Sequence, residues 1–225
     1  MDDAARLLDH LGRPGAIRLG AAHTGTRPAA LPTGLAPLDA LLGGGVPRGC
    51  ITEIAGPRST GRTGLACSIA ATVTRTGALA AWIDPDDALD PETMAATGLL
   101  LAHMLWVHPR NPDDALRAAD LLLAAGGFAL VVLDLPSPEI ARGFTRWTRL
   151  SRAAERSGTT LLVLSAARRV GAIAALGLEA TARRAEWRGG AGHPCLLDGV
   201  TTRLTVARAR YVPPGDQLVL RRACG

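Results

Sequence analysis

The chain contains no lysine: all 25 of its basic residues are arginine. Basic chemistry therefore rests on a planar, forked guanidinium and not on a compact ammonium. Its four cysteines, Cys50, Cys67, Cys195 and Cys224, lack the paired spacing of a zinc site. They read as reduced, mostly buried residues of a cytoplasmic protein. The five histidines are scattered, and none is assigned a ligand role. No apolar run reaches membrane-spanning length and no secretory leader is read, so no membrane partner is expected. Net charge is +5 over 225 residues, a modest excess. It is compatible with an acidic partner such as nucleic acid, and equally with a plain basic surface.

What is present centres on Ile51 to Leu65, ITEIAGPRSTGRTGL. A short buried strand leads into Gly56-Pro57-Arg58-Ser59-Thr60-Gly61-Arg62-Thr63, followed by a helix over 65–75. This is the phosphate-loop pattern G-x-x-x-x-G-K-[ST] with Arg62 where lysine is expected. Gly56 and Gly61 permit backbone angles that gather N–H groups around an anion. The following helix aims its positive dipole end at the same place. Thr63 supplies a hydroxyl for Mg²⁺. The alternative is a glycine turn that keeps the shape without the ligand.

The rest of the chain alternates strands and helices. Helices are predicted over 2–11, 91–101, 111–125 and 139–156, and 31–42 reads as a turn followed by a short helix. Strands are predicted over 78–84, 105–107, 129–134, 159–165, 203–211 and 217–221; residues 178–187 fit either state. Asn111 is expected to cap its helix, and Gly126-Gly127 to end it. The apolar runs ALAAWID and ALVVLD end in Asp84 and Asp134. At the carboxyl ends of parallel strands, these acids, with Asp86 and Asp87, would face the phosphate loop. Asp134 is then the second acid of the site, holding Mg²⁺ through water. This alternation predicts an α/β protein with a mostly parallel central sheet flanked by helices.

The helix over 139–156 has two faces. Arg142, Arg146, Arg149, Arg152 and Arg156 fall at spacings of four, three, three and four, which makes one stripe. Ile140, Phe144, Trp147, Leu150 and Ala154 would pack on the sheet. The stripe suits an acidic partner, or is a solvated face.

Several stretches together resemble bacterial RecA. They are GAIRLG at Gly15, LPTGLAPLDALLGGGVPRG at Leu31, EIAGPRSTGRTGL at Glu53, AWIDPDDALDP at Ala81, LVVLD at Leu130 and RLTVARARYVPP at Arg203. The chain is more closely similar to short RecA-like proteins of the ImuA type, accessories of mutagenic translesion synthesis. The resemblance implies a RecA-like phosphate-loop core over 31–212, after an amino-terminal helix, short strand and linker over 1–30 and before a tail over 213–225. It implies ATP and Mg²⁺ as ligands, with Asp86 at the place of the water-activating glutamate and Asp90 near the nucleotide. Arg208 and Arg210 match two lysines that reach a neighbouring subunit's nucleotide.

Departures from the family bear on function. Asp86 is one carbon shorter than the glutamate. The adenine-stacking tyrosine falls at about Thr93, and the γ-phosphate-sensing glutamine near Ser165 or Ala166. The first DNA loop is reduced to LPSP, and the second to roughly 168–178. Arg168, Arg169, Arg183 and Arg184 are the expected DNA contacts, with the arginine stripe second and no platform for stacking bases. The resulting expectation is an accessory of the DNA-damage (SOS) response with weak or lost ATPase activity. It would bind RecA and an ImuB-like Y-family polymerase homologue. The alternative is a reduced RecA-type DNA-dependent ATPase binding single-stranded DNA. Leu7, Leu8, Leu11 and Ile17 give the amino-terminal segment a slight apolar face. It either docks on RecA or a second copy of the chain, or folds back on its own domain.

Overall fold

The computed structural model describes residues 28–135, 144–189, 196–211 and 215–223. The expected elements over 2–11 and 15–20, the LPSP connection, and Ile140 and Arg142 lie outside the described residues. The elements are β1 (Ala30–Leu31), α1 (Ala36–Leu42), β2 (Val46–Pro47), β3 (Ile51–Ala55), α2 (Arg62–Arg75), β4 (Leu79–Ile83), α3 (Pro91–Ala96), β5 (Met104–Val107), α4 (Pro112–Ala125), β6 (Phe128–Leu135), α5 (Phe144–Ser157), β7 (Thr160–Ser165), β8 (Leu176–Arg188), β9 (Leu196–Ala209) and β10 (Gln217–Ala223). An eight-stranded sheet has the order β10-β9-β8-β3-β7-β6-β4-β5. From β8 to β5 the neighbours are parallel; β9 and β10 add antiparallel strands at one edge.

The parallel strands read as unbroken apolar runs because both faces of the sheet are covered. Every residue of β3 and β7 is buried. Alternation along a strand divides the core in two. Ile54, Leu130, Val132 and Leu162 join Ile69 and Val73 of α2 on one face. Ile51, Val131, Leu133 and Val163 join Leu123 of α4 and Trp147 of α5 on the other. Asn111 caps α4, its Oδ1 accepting the Asp114 N–H at 2.9 Å, and Gly126 ends that helix at φ 69°.

The predicted fold class holds, with four local corrections. The helix predicted over 91–101 stops at Ala96, because Gly98 takes φ 83° and a 3₁₀ turn, Leu101–His103, follows. The undecided stretch 178–187 is strand, paired with β9 and, at Leu178 and Glu179, also with β3. The strand predicted from 203 begins at Leu196. Phe144, expected on the buried face of α5, is 74% exposed, while Trp147, Leu150 and Ala154 are buried as expected. Trp147 is three residues on, about 60° away around the helix, which is enough to leave the ring off the sheet.

The arginine stripe is partly neutralised by α4. Arg146 pairs with Asp113, and Arg149 with Asp120 at 3.2 Å. Such exposed pairs are worth about 0–1 kcal/mol each, so they orient the two helices more than they stabilise them. Among the described residues, no helix is long and apolar enough to cross a membrane.

Candidate functional site

Strand β3 runs straight into the glycine loop and α2 leaves it. The Gly56 N–H donates to the Ser165 carbonyl at 3.0 Å. A Cβ at Gly56 would lie 2.2 Å from the Ala180 carbonyl oxygen of β8, so no side chain fits there. The Thr60 hydroxyl donates to the Pro57 carbonyl at 2.8 Å, and the Thr60 carbonyl accepts the Thr202 hydroxyl of β9 at 2.9 Å. Ser59 and Gly61 take φ 62° and 83°. Gly61 is the N-cap of α2 and brings no side-chain cap, so the helix opens onto the cleft through bare backbone.

The cleft is about 310 Å³, floored by the loop and walled by Asp84, Asp86 and Asp134. Arg62 lines it and is only 9% exposed, and its Nη1 has no hydrogen-bond partner among the described residues. Burial lowers the Arg62 pKa; Asp134 opposes that, and Arg58 adds to it. A buried guanidinium with an unpartnered N–H calls for an anionic acceptor. Asp134 carries the matching strain: burial raises its pKa from 3.8 to about 6, with Arg62 pulling down and Asp84 and Asp86 pushing up. The Thr63 hydroxyl and the carboxylates are hard oxygen donors of the kind Mg²⁺ takes. The residues present thus fit a phosphate anion and its metal ion.

The raised pKa has a consequence for the ligand-free chain. Folded Asp134 keeps its proton up to about pH 6, whereas the unfolded chain releases it near 3.8. Stability therefore falls as pH rises through that window, and the full penalty persists above it. Asp134→Asn is expected to raise stability at pH 7 by about 3 kcal/mol and to change it little near pH 3. Denaturant titrations at the two pH values check this; equal effects at both would remove the electrostatic explanation.

The other expected site residues fall into groups. Arg58, Ser59, Thr60, Gly61, Arg62, Thr63, Asp86 and Asp134 line the cleft together. Asp90 instead caps α3, accepting the Thr93 N–H at 2.9 Å and the Thr93 hydroxyl at 2.5 Å. Those bonds lower its pKa, the Thr93 side chain first. Arg208 Nε donates to the Ala174 carbonyl at 3.1 Å, and Arg210 Nη2 to the Ile173 carbonyl at 3.2 Å. Both thus rest on this chain's own loop. Arg168 lies 4.0 Å from Glu179. Arg184 is exposed on β8, and the Arg183 side chain lies outside the described residues.

Sequence reading missed Glu53. Its carboxylate is 0% exposed, and Oε1 accepts the Arg169 N–H at 2.5 Å, the Val170 N–H at 3.1 Å and the Ser165 hydroxyl at 3.3 Å. It ties the strand that enters the phosphate loop to the segment leaving β7. The available signal was a charged residue inside an otherwise buried run. Also missed was His108, whose Nδ1 lies 3.2 Å from Asp87.

A phosphate loop between the first core strand and its helix, with acids at neighbouring strand ends, defines a phosphate-loop α/β domain. Residues 3–141 match the RecA N-terminal domain family, and the chain belongs to that family. Protein RecA of Picosynechococcus sp. is 40% identical over 125 residues, covering 56% of this chain and 36% of that protein. Protein RecA of Rubrobacter xylanophilus is 36% identical over 184 residues, covering 73% and 54%. The chain thus spans between about a third and a half of the length of these relatives. The crystal structure of the RadB recombinase superposes with a TM-score of 0.65 at 21% identity, covering 85% of this chain and 95% of that one. That likeness bears on the fold alone.

Proposed function

We propose that the protein is a RecA-like accessory of the DNA-damage (SOS) response that supports mutagenic translesion synthesis through protein contacts. Its partners on this reading are RecA and an ImuB-like Y-family polymerase homologue, in the cytoplasm, with self-association as a further contact. The nucleotide site binds without efficient turnover. ATP phosphates would sit on Gly56 to Thr63, with Arg62 as the counter-charge. Thr63 and Asp134 would hold Mg²⁺, which shields phosphate charge when bound. The observation that carries the reading is at Ser165, near the place of the γ-phosphate sensor. Its hydroxyl is buried and donates to Glu53 at 3.3 Å, away from the cleft. Asp86, short and exposed, is a poor positioner of water.

The test is ATP turnover with and without single-stranded DNA. A lost positioning or general-base contact costs about 10²–10⁴-fold in rate, so turnover is expected to be lower than RecA's by at least that range. Thr63→Ala or Asp134→Ala should remove whatever remains. DNA-stimulated turnover at RecA's rate would sink the accessory reading and favour a reduced DNA-dependent ATPase.

A further inference from the structure

Three ligand-bearing side chains meet at the carboxyl ends of β4 and β5, on the rim of the phosphate cleft. Ile83 pairs with Val107 in the register of the two strands, and the Asp84 N–H donates to the Val107 carbonyl at 2.9 Å. Asp84 and His108 are therefore the next residues across the pair. The chain then turns, its Asp87 N–H reaching the Asp84 carbonyl at 3.5 Å, and the Asp87 carboxylate comes to lie 3.2 Å from His108 Nδ1. One ligand atom from each of Asp84, Asp87 and His108 lies within 4.8 Å of the others, the one such group of three among the described residues. Asp84 differs from its two neighbours: it is 2% exposed, and its Oδ2 accepts the Leu89 N–H at 3.0 Å. Its Oδ1 has no hydrogen-bond partner among the described residues. A buried carboxylate with an oxygen left over calls for a donor or a cation to take it.

We propose that Asp84, Asp87 and His108 form a binding site for a divalent transition-metal ion of the zinc class, separate from the Mg²⁺ expected at Thr63 and Asp134. Two carboxylates and an imidazole are a mixed oxygen and nitrogen set. Imidazole suits Zn²⁺, whereas Mg²⁺ is taken by oxygen ligands and water. Zinc binds nitrogen and carboxylate oxygen at about 2.0–2.2 Å, which puts neighbouring ligands of a tetrahedral ion about 3.5 Å apart. The present span closes to that distance by turning side chains. Asp84 is the fixed ligand, and Asp87 and His108, both exposed, supply the adjustment. The Trp106 ring lies against the imidazole, its centroid 4.5 Å away, and limits the orientations that His108 can take. A plain ion pair accounts for His108 and Asp87 but leaves the spare oxygen of Asp84 unused. Charge argues the same way. Asp84, Asp86 and Asp134 line the cleft with Arg58 and Arg62, so with Asp87 there are four acids to two arginines, a balance that favours a dication. The site goes beyond the accessory reading and does not rest on it. Its histidine had no ligand role in the sequence because its partners lie some twenty residues away, on the neighbouring strand.

The experiment titrates the full chain, without nucleotide, with Zn²⁺ in a calorimeter. His108→Ala, Asp87→Asn and Thr63→Ala are titrated alongside, each checked for folding by thermal unfolding. Wild type is expected to take up one equivalent. His108→Ala and Asp87→Asn should each bind at least about tenfold more weakly, since losing even an outer-shell partner of a metal costs about 10–100-fold. Excess Mg²⁺ should not displace the zinc. Co²⁺ in place of Zn²⁺ should give ligand-field bands with no thiolate charge-transfer band. A wild-type chain with no saturable uptake overturns the proposal, as do His108 and Asp87 variants that bind like wild type. Displacement by Mg²⁺ overturns it too, and so does a thiolate band, which would put the ion on cysteine. Binding lost in Thr63→Ala and kept in His108→Ala would place the ion at the phosphate loop and is equally fatal.

Discussion

Glu53→Ala should cost the fold about 3–5 kcal/mol, because it removes the acceptor of two backbone N–H groups inside the protein. Each orphaned buried N–H costs ~1–3 kcal/mol, and the missing side chain leaves a void beside Val163 that adds to the loss. Strand β3 and the segment from Arg169 to Val170 would part, since both N–H groups reach the same Oε1. The measurement is a denaturant titration of wild type, Glu53→Ala and Glu53→Gln. Glutamine keeps one acceptor oxygen, so it should recover part of the loss. A stability within about 1 kcal/mol of wild type for the alanine variant would show that solvent replaces the carboxylate at little cost.

Gly56→Ala should abolish anion binding and destabilise the fold by about 2–3 kcal/mol. The added methyl would lie 2.2 Å from the Ala180 carbonyl oxygen, which belongs to backbone and has no rotamer to escape into. Either β8 moves off β3 or the loop tilts out of its cradle. Both break the Gly56 N–H bond to Ser165. Pyrophosphate binding followed by calorimetry, together with an unfolding curve, checks the prediction. A variant that binds like wild type would mean that β8 yields easily.

The parallel core was legible because a strand covered on both faces has to be apolar along its middle, as the LVVL of ALVVLD and the LLVL of TLLVLS are. The phosphate loop was legible because its glycines, hydroxyls and flanking elements occur in one short run. The segment from Leu178 to Trp187 was not, since alanine and arginine suit a helix as well as an exposed strand. Its pairing with β3 and β9, distant in sequence, decides it. Asp90 was legible only as an acid beside a proline, and the cap it forms at Thr93 emerges once α3 is in place. Phe144 fitted the apolar periodicity of its helix, but periodicity does not say where the sheet beneath ends.

The cradle around the phosphate loop is assembled from widely separated segments. Ser165, Ala180 and Thr202 each touch the loop, and all lie beyond the 3–141 span that matches the family. A ribosome that has released only the first half of the chain has made the whole motif, yet nothing exists to hold it in shape. On the proposed reading of the site, nucleotide would thus be captured late in synthesis, once the antiparallel edge has come home. A nascent fragment bearing the complete glycine signature should be blind to it.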